Sequence, residues 1–197
     1  SALLKGQPKT EVTLRIRRYG QKENISLKIL REKITLSNLS YFGLVEPEIG
    51  YLRLDDFTPG ASREVSDALH NLKERGAKKV ILDLRDNPGG LLHEAVNIVS
   101  LFVPRGQEIV STKGKVEEWN KSYRTLNSPL DIEIPVVVLV SEGSASASEI
   151  VAGALQDYDR AVLIGRKTFG KGLVQTTRQL AYNSQLKVTT AKYYIPS

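Results

Sequence analysis

The sequence predicts an α/β fold in which strand–helix units form a layered core and a β-rich segment follows them. Three observations support it. Core-type strands alternate with helical segments between residues 49 and 164, two amphipathic strands precede them, and β-forming residues dominate after residue 172. A chain of 197 residues is long enough for one or two domains with a buried core.

The first 40 residues predict a hairpin. Apolar and polar residues alternate over 12–16 and again over 25–29, with a polar loop at 19–23 between them. This period of two is typical of half-buried strands. Residues 34–39 predict a further short strand or a connector, and the character of the sequence changes at about residue 40.

The strand–helix units follow in order along the chain. Core strands are expected at 49–54, 79–84, 135–141 and 161–164. Helices are expected around 65–72 with a stop at Gly76, at 91–102 and at 149–158. The polar stretch 106–130 predicts a β-hairpin or a loop, and the β-rich tail covers 173–180 and 186–194.

The positive charge belongs to the start of the chain. The net charge is +6 and the pI is about 9.4. Residues 1–40 contain nine Lys or Arg and three Glu, a net +6, so the remaining residues are neutral overall. Since these charges lie on the outward faces of the predicted strands, no nucleic-acid partner is expected. Acidic substrates, membrane proximity or plain solvation remain as explanations.

Composition excludes several kinds of site. The chain has no cysteine, which rules out disulfides, thiolate metal sites and cysteine nucleophiles within it. Two histidines leave little room for a histidine metal cage, and no cofactor is expected. The longest apolar run, 136–140, is far shorter than the ~20 residues of a membrane span. Because there is no methionine, we expect a fragment, from which any targeting segment would be missing.

The first segment that could take part in binding or catalysis is 83–90, Asp-Leu-Arg-Asp-Asn-Pro-Gly-Gly, between a predicted strand and a helix. Gly89 and Gly90 would let the backbone approach a ligand closely and point N–H groups towards it. Such N–H groups can stabilise a developing oxyanion. On this loop alone, a plain turn with a helix cap is the favoured interpretation.

The second segment is 141–149, Ser-Glu-Gly-Ser-Ala-Ser-Ala-Ser-Glu, which follows a buried strand and opens a helix. Small residues in such a turn are typical of a nucleophile elbow with an exposed serine, although Gly-x-Ser-x-Gly is not matched. The alternative is a capping box, because Ser146 lies three residues before Glu149. On this segment alone, capping is favoured.

The third segment is 165–172, Gly-Arg-Lys-Thr-Phe-Gly-Lys-Gly. It approximates a phosphate-binding loop, but Gly172 replaces the Ser or Thr and the next residues are β-like, so no nucleotide site is expected. Instead, glycines could place Lys171 in a partly buried pocket where it serves as a general base. Both histidines lie in predicted helices, which makes serine with lysine the economical catalytic pair.

Together the three segments resemble the C-terminal processing peptidases, or tail-specific proteases, of serine peptidase family S41. Segments 83–90, 143–150 and 168–175 are similar to that family's D-L-R-x-N-x-G-G, S-A-S-A-S-E and T-F-G-K-G-x-V-Q blocks. The resemblance covers about 49–197 and implies a ClpP/crotonase-like core. Residues 1–38 resemble the C-terminal part of a PDZ domain, which leaves 39–197 as a protease core trimmed at its C-terminal end.

The resemblance implies a role for each site residue. Ser146 would be the nucleophile, Lys171 the general base and Gln175 the group that orients the lysine. A spacing of four residues on a helix, or of two strand pleats, would put Lys171 and Gln175 on one face. The backbone N–H of Ala147 and one N–H of the Gly89–Gly90 loop would form the oxyanion hole.

The resemblance also implies substrates and a location. The substrates would be proteins or peptides with accessible, often apolar C-terminal tails, cleaved through an acyl-enzyme outside the cytoplasm, in the periplasm or cell envelope. Membrane proximity and a homo-oligomer are compatible with the sequence. A PDZ-linked binding module without turnover and a crotonase-like acyl-CoA enzyme stay open, because a fold does not fix a function.

Overall fold

A computed structural model describes residues 4–34 and 36–197, and the chain divides into two compact units, Ser1–Leu36 and Ser37–Ser197. The strands, in chain order, are β1 (Glu11–Ile16), β2 (Ile25–Leu30), β3 (Leu39–Glu46), β4 (Ile49–Leu54), β5 (Lys79–Asp83), β6 (Glu108–Gly114), β7 (Lys121–Arg124), β8 (Val136–Val140), β9 (Ala161–Gly165), β10 (Leu173–Gln179) and β11 (Gln185–Tyr194). The helices are α1 (Ala61–Glu74), α2 (Leu92–Val99) and α3 (Ala147–Asp157).

The first unit contains the predicted hairpin, in which β1 pairs antiparallel with β2. The stretch 34–39 serves mainly as a connector, one of its two predicted forms, although Thr35 lies outside the described residues.

The strand that follows, β3, was not predicted. Its pairing with β4 shifts register at both ends, which interrupts the alternation of buried and exposed side chains by which a strand is recognised.

The second unit is built on a five-stranded sheet with the order β3-β4-β5-β8-β9. The edge strand β3 is antiparallel to β4, and the other neighbours are parallel, as the strand–helix alternation predicts. Alternate residues of β4, β5 and β8 are buried in the core shared with the helices, among them Leu52, Leu82 and Val138. The α/β prediction is therefore confirmed.

The first helix is fixed at its N-terminus by a side chain of the second. Apolar residues at helical spacing bury one face of α1, which begins directly after Gly60. The carboxylate of Glu94, on α2, accepts hydrogen bonds from the Gly60 and Ser62 N–H groups, both at 2.8 Å. Burial would raise the pKa of Glu94, but these donors outweigh burial and lower it. A negative charge at a helix N-terminus is stabilising.

A second sheet, with the order β10-β11-β6-β7, is antiparallel throughout. It confirms both the hairpin within 106–130 and the β-rich tail. The chain continues from the third sequence segment into β10 rather than into a helix, as its β-like residues predict. Within residues 4–34 and 36–197, none of the helices is long and apolar enough to span a membrane.

The order of the parallel strands decides where the three sequence segments lie. The strands β5, β8 and β9 are consecutive neighbours in the sheet and run in the same direction. Segment 83–90 follows β5, segment 141–149 follows β8, and segment 165–172 follows β9. Carboxyl ends of parallel strands meet at one edge, which is where α/β sheets bind ligands. The fold thus brings all three segments to the same edge.

Candidate active site

The turn between β8 and α3 holds Ser146 in a strained backbone conformation. Ser146 has φ 57° and ψ −111°. Positive φ is uncommon for a residue with a side chain and persists where the surrounding structure enforces it. A serine that only caps a helix has an extended backbone. The conformation therefore distinguishes Ser146 from an ordinary cap and matches a strained strand-to-helix turn that presents a nucleophile.

The expectation of an exposed serine is wrong, because only 9% of the surface of Ser146 is accessible. Access is through a cavity of about 380 Å³ that Ser146 lines. Apolar side chains form much of the remaining wall, namely Ile150, Leu163, Tyr193 and Ile195. Gly153 also lines it, and a Cβ added there would lie 2.8 Å from Ile195 Cδ1. The cavity beside Ser146 is therefore suited to an apolar side chain.

The two serines that flank Ser146 in the sequence block are structural. Ser144 and Ser148 are completely buried. The Ser144 hydroxyl donates to the Leu84 carbonyl at 2.7 Å, and the Ser148 hydroxyl donates to the Asn87 carbonyl at 3.0 Å. The first bond joins the turn after β8 to the loop after β5, and the second joins the first turn of α3 to the same loop. Of the three, only Ser146 lines the cavity.

Close packing requires glycine at position 89. Its φ is +90°, and a Cβ there would lie 2.4 Å from the Ala145 carbonyl oxygen and 2.7 Å from the Ala147 nitrogen. The Gly-Gly loop therefore touches the turn that carries Ser146. Because these contacts are backbone atoms, the turn has little freedom to move away.

The structure distinguishes the two candidate oxyanion donors of this loop. The Gly89 N–H donates to Asn87 Oδ1 at 2.9 Å, so it already has an acceptor. The Gly90 and Ala147 N–H groups donate to no acceptor in the described part of the chain. Ala147 is buried, and buried N–H groups are almost always paired, so its free N–H indicates a place for a ligand. Gly90 is exposed, so a ligand can reach its backbone. Gly90 is thus the better candidate partner of Ala147.

An ion pair between buried Asp83 and exposed Arg85 anchors the start of the same loop. Asp83 is completely buried, accepts the Tyr51 hydroxyl at 2.6 Å, and receives Nη2 of Arg85 at 2.6 Å. Burial would raise the pKa of Asp83, but the Arg85 and Tyr51 donors outweigh burial and lower it. Asp83 is therefore ionised at neutral pH and fixes the point at which β5 turns into the loop.

Glu149 joins the third segment to the nucleophile turn. Its Oε2 accepts the Ser146 N–H at 2.8 Å, which is the carboxylate half of the predicted capping box, and the Lys171 N–H at 3.0 Å. Its Oε1 accepts the Thr168 hydroxyl at 2.8 Å and the Gly170 N–H at 2.6 Å. One half-buried carboxylate thus holds the backbone of both the candidate nucleophile and the candidate base.

These donors also set the charge of Glu149. Burial would raise the pKa of the carboxyl, but the hydrogen bonds from Ser146, Gly170, Lys171 and Thr168 outweigh burial and lower it. A group with a lowered pKa stabilises the fold while it is ionised. That stability is present above the ordinary pKa of the carboxyl and is lost as the pH falls through the lowered one.

We expect Glu149→Gln to lower the free energy of unfolding by about 2 kcal/mol at pH 7. In one orientation the amide NH₂ faces the Ser146 and Lys171 N–H groups, and in the other it faces the Gly170 N–H, while the Thr168 hydroxyl can turn to accept from it. Either orientation leaves at least one donor unpaired, at a cost of about 1–3 kcal/mol. Urea titration of the variant and the parent at falling pH would measure the difference, which should shrink as the parent carboxyl is protonated. Glu142→Gln is the control, since Glu142 is exposed and its pair with Arg166 contributes little. Equal losses in both variants would contradict the role of Glu149.

The structure brings the candidate base close to the turn through its backbone, but the side chains are not joined. Among residues 4–34 and 36–197, no hydrogen bond links Ser146 Oγ to Lys171 Nζ, and the ammonium has no ion pair. Gln175 is exposed in β10 and its amide makes no hydrogen bond within that part of the chain. A register shift between Val174 and Gln175 interrupts the pleat that was expected to align Lys171 with Gln175.

A family comparison matches this site and the sheet beneath it. Residues 48–197 match the model of peptidase family S41. The chain belongs to peptidase family S41. Its match begins one residue before β4 and includes all three segments at the sheet edge.

Individual S41 relatives are similar over nearly the whole chain. A carboxy-terminal-processing protease of Bartonella bacilliformis is 42% identical over 198 residues, which cover 98% of this chain and 45% of the relative. The solved structure of the photosystem II D1 C-terminal processing protease superposes with a TM-score of 0.71 at 32% identity, covering 97% of this chain and 52% of that one. The chain therefore spans about half the length of these S41 proteins.

Sequence reasoning missed two residues that organise this S41 site. Glu149 was assigned only to a capping box, and Asn87 was not assigned a role at all. The capping spacing was a usable signal for Glu149, because a carboxylate has about four acceptor positions and a capping box uses one. For Asn87 the only signal was its place between the strand and the two glycines.

Proposed function

We propose that this chain carries the catalytic core of a serine endopeptidase that cleaves protein substrates near their C-terminal tails. The observation that carries the proposal is the strained Ser146, packed against Gly89 of the Gly-Gly loop, while the N–H groups of Gly90 and Ala147 have no acceptor among the described residues. The names of the two relatives support C-terminal processing as the activity. The alternatives of a binding module and an acyl-CoA enzyme have no comparable support.

The reaction follows from the residues at the edge of the sheet. Neutral Lys171 accepts the hydroxyl proton as Ser146 Oγ attacks the scissile carbonyl carbon. The Gly90 and Ala147 N–H groups stabilise the negative charge on the carbonyl oxygen. Lys171 then gives the proton to the leaving amine, and water hydrolyses the acyl-enzyme to release the acid and restore Ser146.

The mechanism requires Lys171 to turn towards Ser146. Its backbone is already held by Glu149, and its ammonium has no partner among the described residues, so the side chain can rotate without breaking a hydrogen bond or an ion pair. Gln175 would then orient the lysine, as the family resemblance implies. An apolar side chain of the substrate would enter the cavity beside Ser146. This assignment agrees with apolar C-terminal tails as substrates.

The proposal extends to the rest of the protein by resemblance. Residues 1–38 would be the C-terminal part of a PDZ domain that binds substrate tails by strand addition. Protein substrates with accessible tails would be the partners, and the enzyme would act outside the cytoplasm. Proximity to a membrane and self-association are further parts of this proposal.

Labelling with a fluorophosphonate tests the proposal directly. We expect one adduct per chain, on Ser146, in the full-length protein incubated with the reagent and digested for mass spectrometry. The completely buried Ser144 and Ser148 are internal controls and should stay unmodified. In parallel, Ser146→Ala should lower the cleavage of a protein with an unfolded apolar tail by about 10⁴- to 10⁶-fold. Undiminished cleavage by Ser146→Ala would refute the proposal.

A further inference from the structure

Asn87 is a completely buried residue whose side chain links two segments near the site. Its Nδ2 donates to the carbonyl of Leu54, the last residue of β4, at 2.7 Å. Its Oδ1 accepts the Gly89 N–H at 2.9 Å. The amide therefore uses a donor and an acceptor at the same time, and the two partners lie on different parts of the chain. A carboxylate could not replace it without facing the Leu54 carbonyl with a second acceptor.

The backbone of Asn87 holds a third segment. Its carbonyl accepts the Ala145 N–H at 3.0 Å and the Ser148 hydroxyl at 3.0 Å. These two residues lie on either side of Ser146 and Ala147. A single residue thus connects the end of β4, the Gly-Gly loop and the turn that carries the candidate nucleophile. Its own side chain does not line the cavity.

We propose that Asn87 is the positioning residue of the oxyanion hole. By accepting the Gly89 N–H, Oδ1 fixes the Pro88–Gly89 peptide, which directly precedes the peptide that carries the unpaired Gly90 N–H. By holding Ala145 and Ser148, the carbonyl fixes the Ala147 N–H relative to the same loop. Asn87 acts through these groups and does not touch the substrate. This inference rests on the proposed peptidase function.

The test compares two buried asparagines in the full-length protein. Asn38 is 2% exposed and is also bonded on both sides of its amide, to Glu64 at 2.9 Å and to the Thr58 N–H at 2.8 Å. It belongs to none of the three loops at the site. The Asn38 oxygen also accepts the Thr58 hydroxyl at 2.8 Å, so Asn38→Ala loses three amide hydrogen bonds and Asn87→Ala loses two. Asn38→Ala therefore serves as the control for the loss of stability that follows from truncating a buried asparagine.

We expect Asn87→Ala to lower kcat about 10- to 100-fold with KM changed less than about twofold. Misplaced donors stabilise the transition state less well but leave the binding of the substrate nearly unchanged. The affinity for a peptide boronate, which forms a tetrahedral adduct, should fall by the same factor as kcat/KM. Asn38→Ala should lower the melting temperature by a similar amount and leave kcat and boronate affinity unchanged.

A milder variant keeps the test decisive if Asn87→Ala does not fold. Ser148→Ala removes one of the two bonds to the Asn87 carbonyl and should lower kcat about three- to tenfold, the value of one lost hydrogen bond. An unchanged kcat in folded Asn87→Ala, or in Ser148→Ala where Asn87→Ala does not fold, would overturn the inference. An equal loss of kcat in Asn38→Ala would also overturn it. Failure of the peptidase proposal is a separate result, because cleavage would then survive Ser146→Ala. An unchanged kcat in Asn87→Ala overturns the role of Asn87 in either case.

Discussion

Replacement of Lys171 by methionine should abolish turnover and leave the fold intact. Methionine has a similar length but no amine, so Ser146 would have no base and cleavage of a tailed protein should fall by about 10⁴-fold or more. The backbone N–H that binds Glu149 is retained, and the lost ammonium has no partner among residues 4–34 and 36–197. We therefore expect the free energy of unfolding to change by less than about 0.5 kcal/mol.

Two matched variants separate the loss of a base from the loss of a charge. Lys167→Met removes an exposed positive charge from the same loop and should retain turnover. Lys171→Cys can be alkylated with bromoethylamine to place an amine at nearly the same position, and the 197 residues contain no other cysteine. Turnover should return after alkylation. Full activity in Lys171→Met, or equal inactivation of Lys167→Met, would contradict the assignment of Lys171.

The rescued enzyme also has an expected pH dependence. A general base must be unprotonated, so the rate rises with pH as the base loses its proton. The sulfur of the alkylated cysteine makes its amine a weaker base than that of lysine. The acidic limb of the pH–rate profile should therefore move to lower pH in the rescued enzyme. An unmoved limb would show that another group controls this part of the profile.

The parallel core could be predicted from sequence because each of its strands is a compact apolar run. Segments such as 79–84 and 135–141 have turn signals at both ends, and these fix where the strand stops. The edge strand β3 was missed for a physical reason. Its pairing with β4 shifts register at both ends, so buried and exposed residues do not alternate along it. The sequence therefore lacks the alternation of apolar and polar residues that marks a strand.

The candidate residues could be located from the sequence, but not the geometry that relates them. The sequence block around Ser146 fits both a helix cap and a nucleophile, and the two differ in a backbone angle that composition does not encode. The contacts of Glu149 come from a loop about 20 residues away, and those of Asn87 come from β4 and α3. Such contacts depend on the strand order β5-β8-β9, which the sequence does not state.

The choice between Gly89 and Gly90 shows the same limit. Two adjacent glycines look equivalent in the sequence, and each could supply the oxyanion donor. Only the hydrogen bond from the Gly89 N–H to Asn87 separates them. Glycine is required at the two positions for different reasons. A Cβ at Gly89 would collide with the turn that carries Ser146, whereas a Cβ at Gly90 would lie 2.6 Å from the Phe57 carbonyl oxygen.

Gly89→Ala should lower turnover by about 100-fold or more in protein that is still folded. The new Cβ would lie 2.4 Å from the Ala145 carbonyl oxygen and 2.9 Å from Ser146 Cβ, so the loop and the turn must separate. A displacement of about 1 Å at a reacting group costs about 100-fold in rate. The rate per folded molecule, with the folded fraction measured by circular dichroism, provides the measurement.

A second glycine with the same φ angle separates the effect of backbone strain from the effect of the collision with the turn. Gly106 also has φ +90°, but nothing lies within 4 Å of a Cβ added there. Both substitutions incur the left-handed backbone cost of about 1–2 kcal/mol, and only Gly89→Ala adds the collision with the nucleophile turn. Gly106→Ala should therefore lose stability while keeping its rate. Equal rates in the two variants would mean that contact between the loop and the turn does not set the geometry of Ser146.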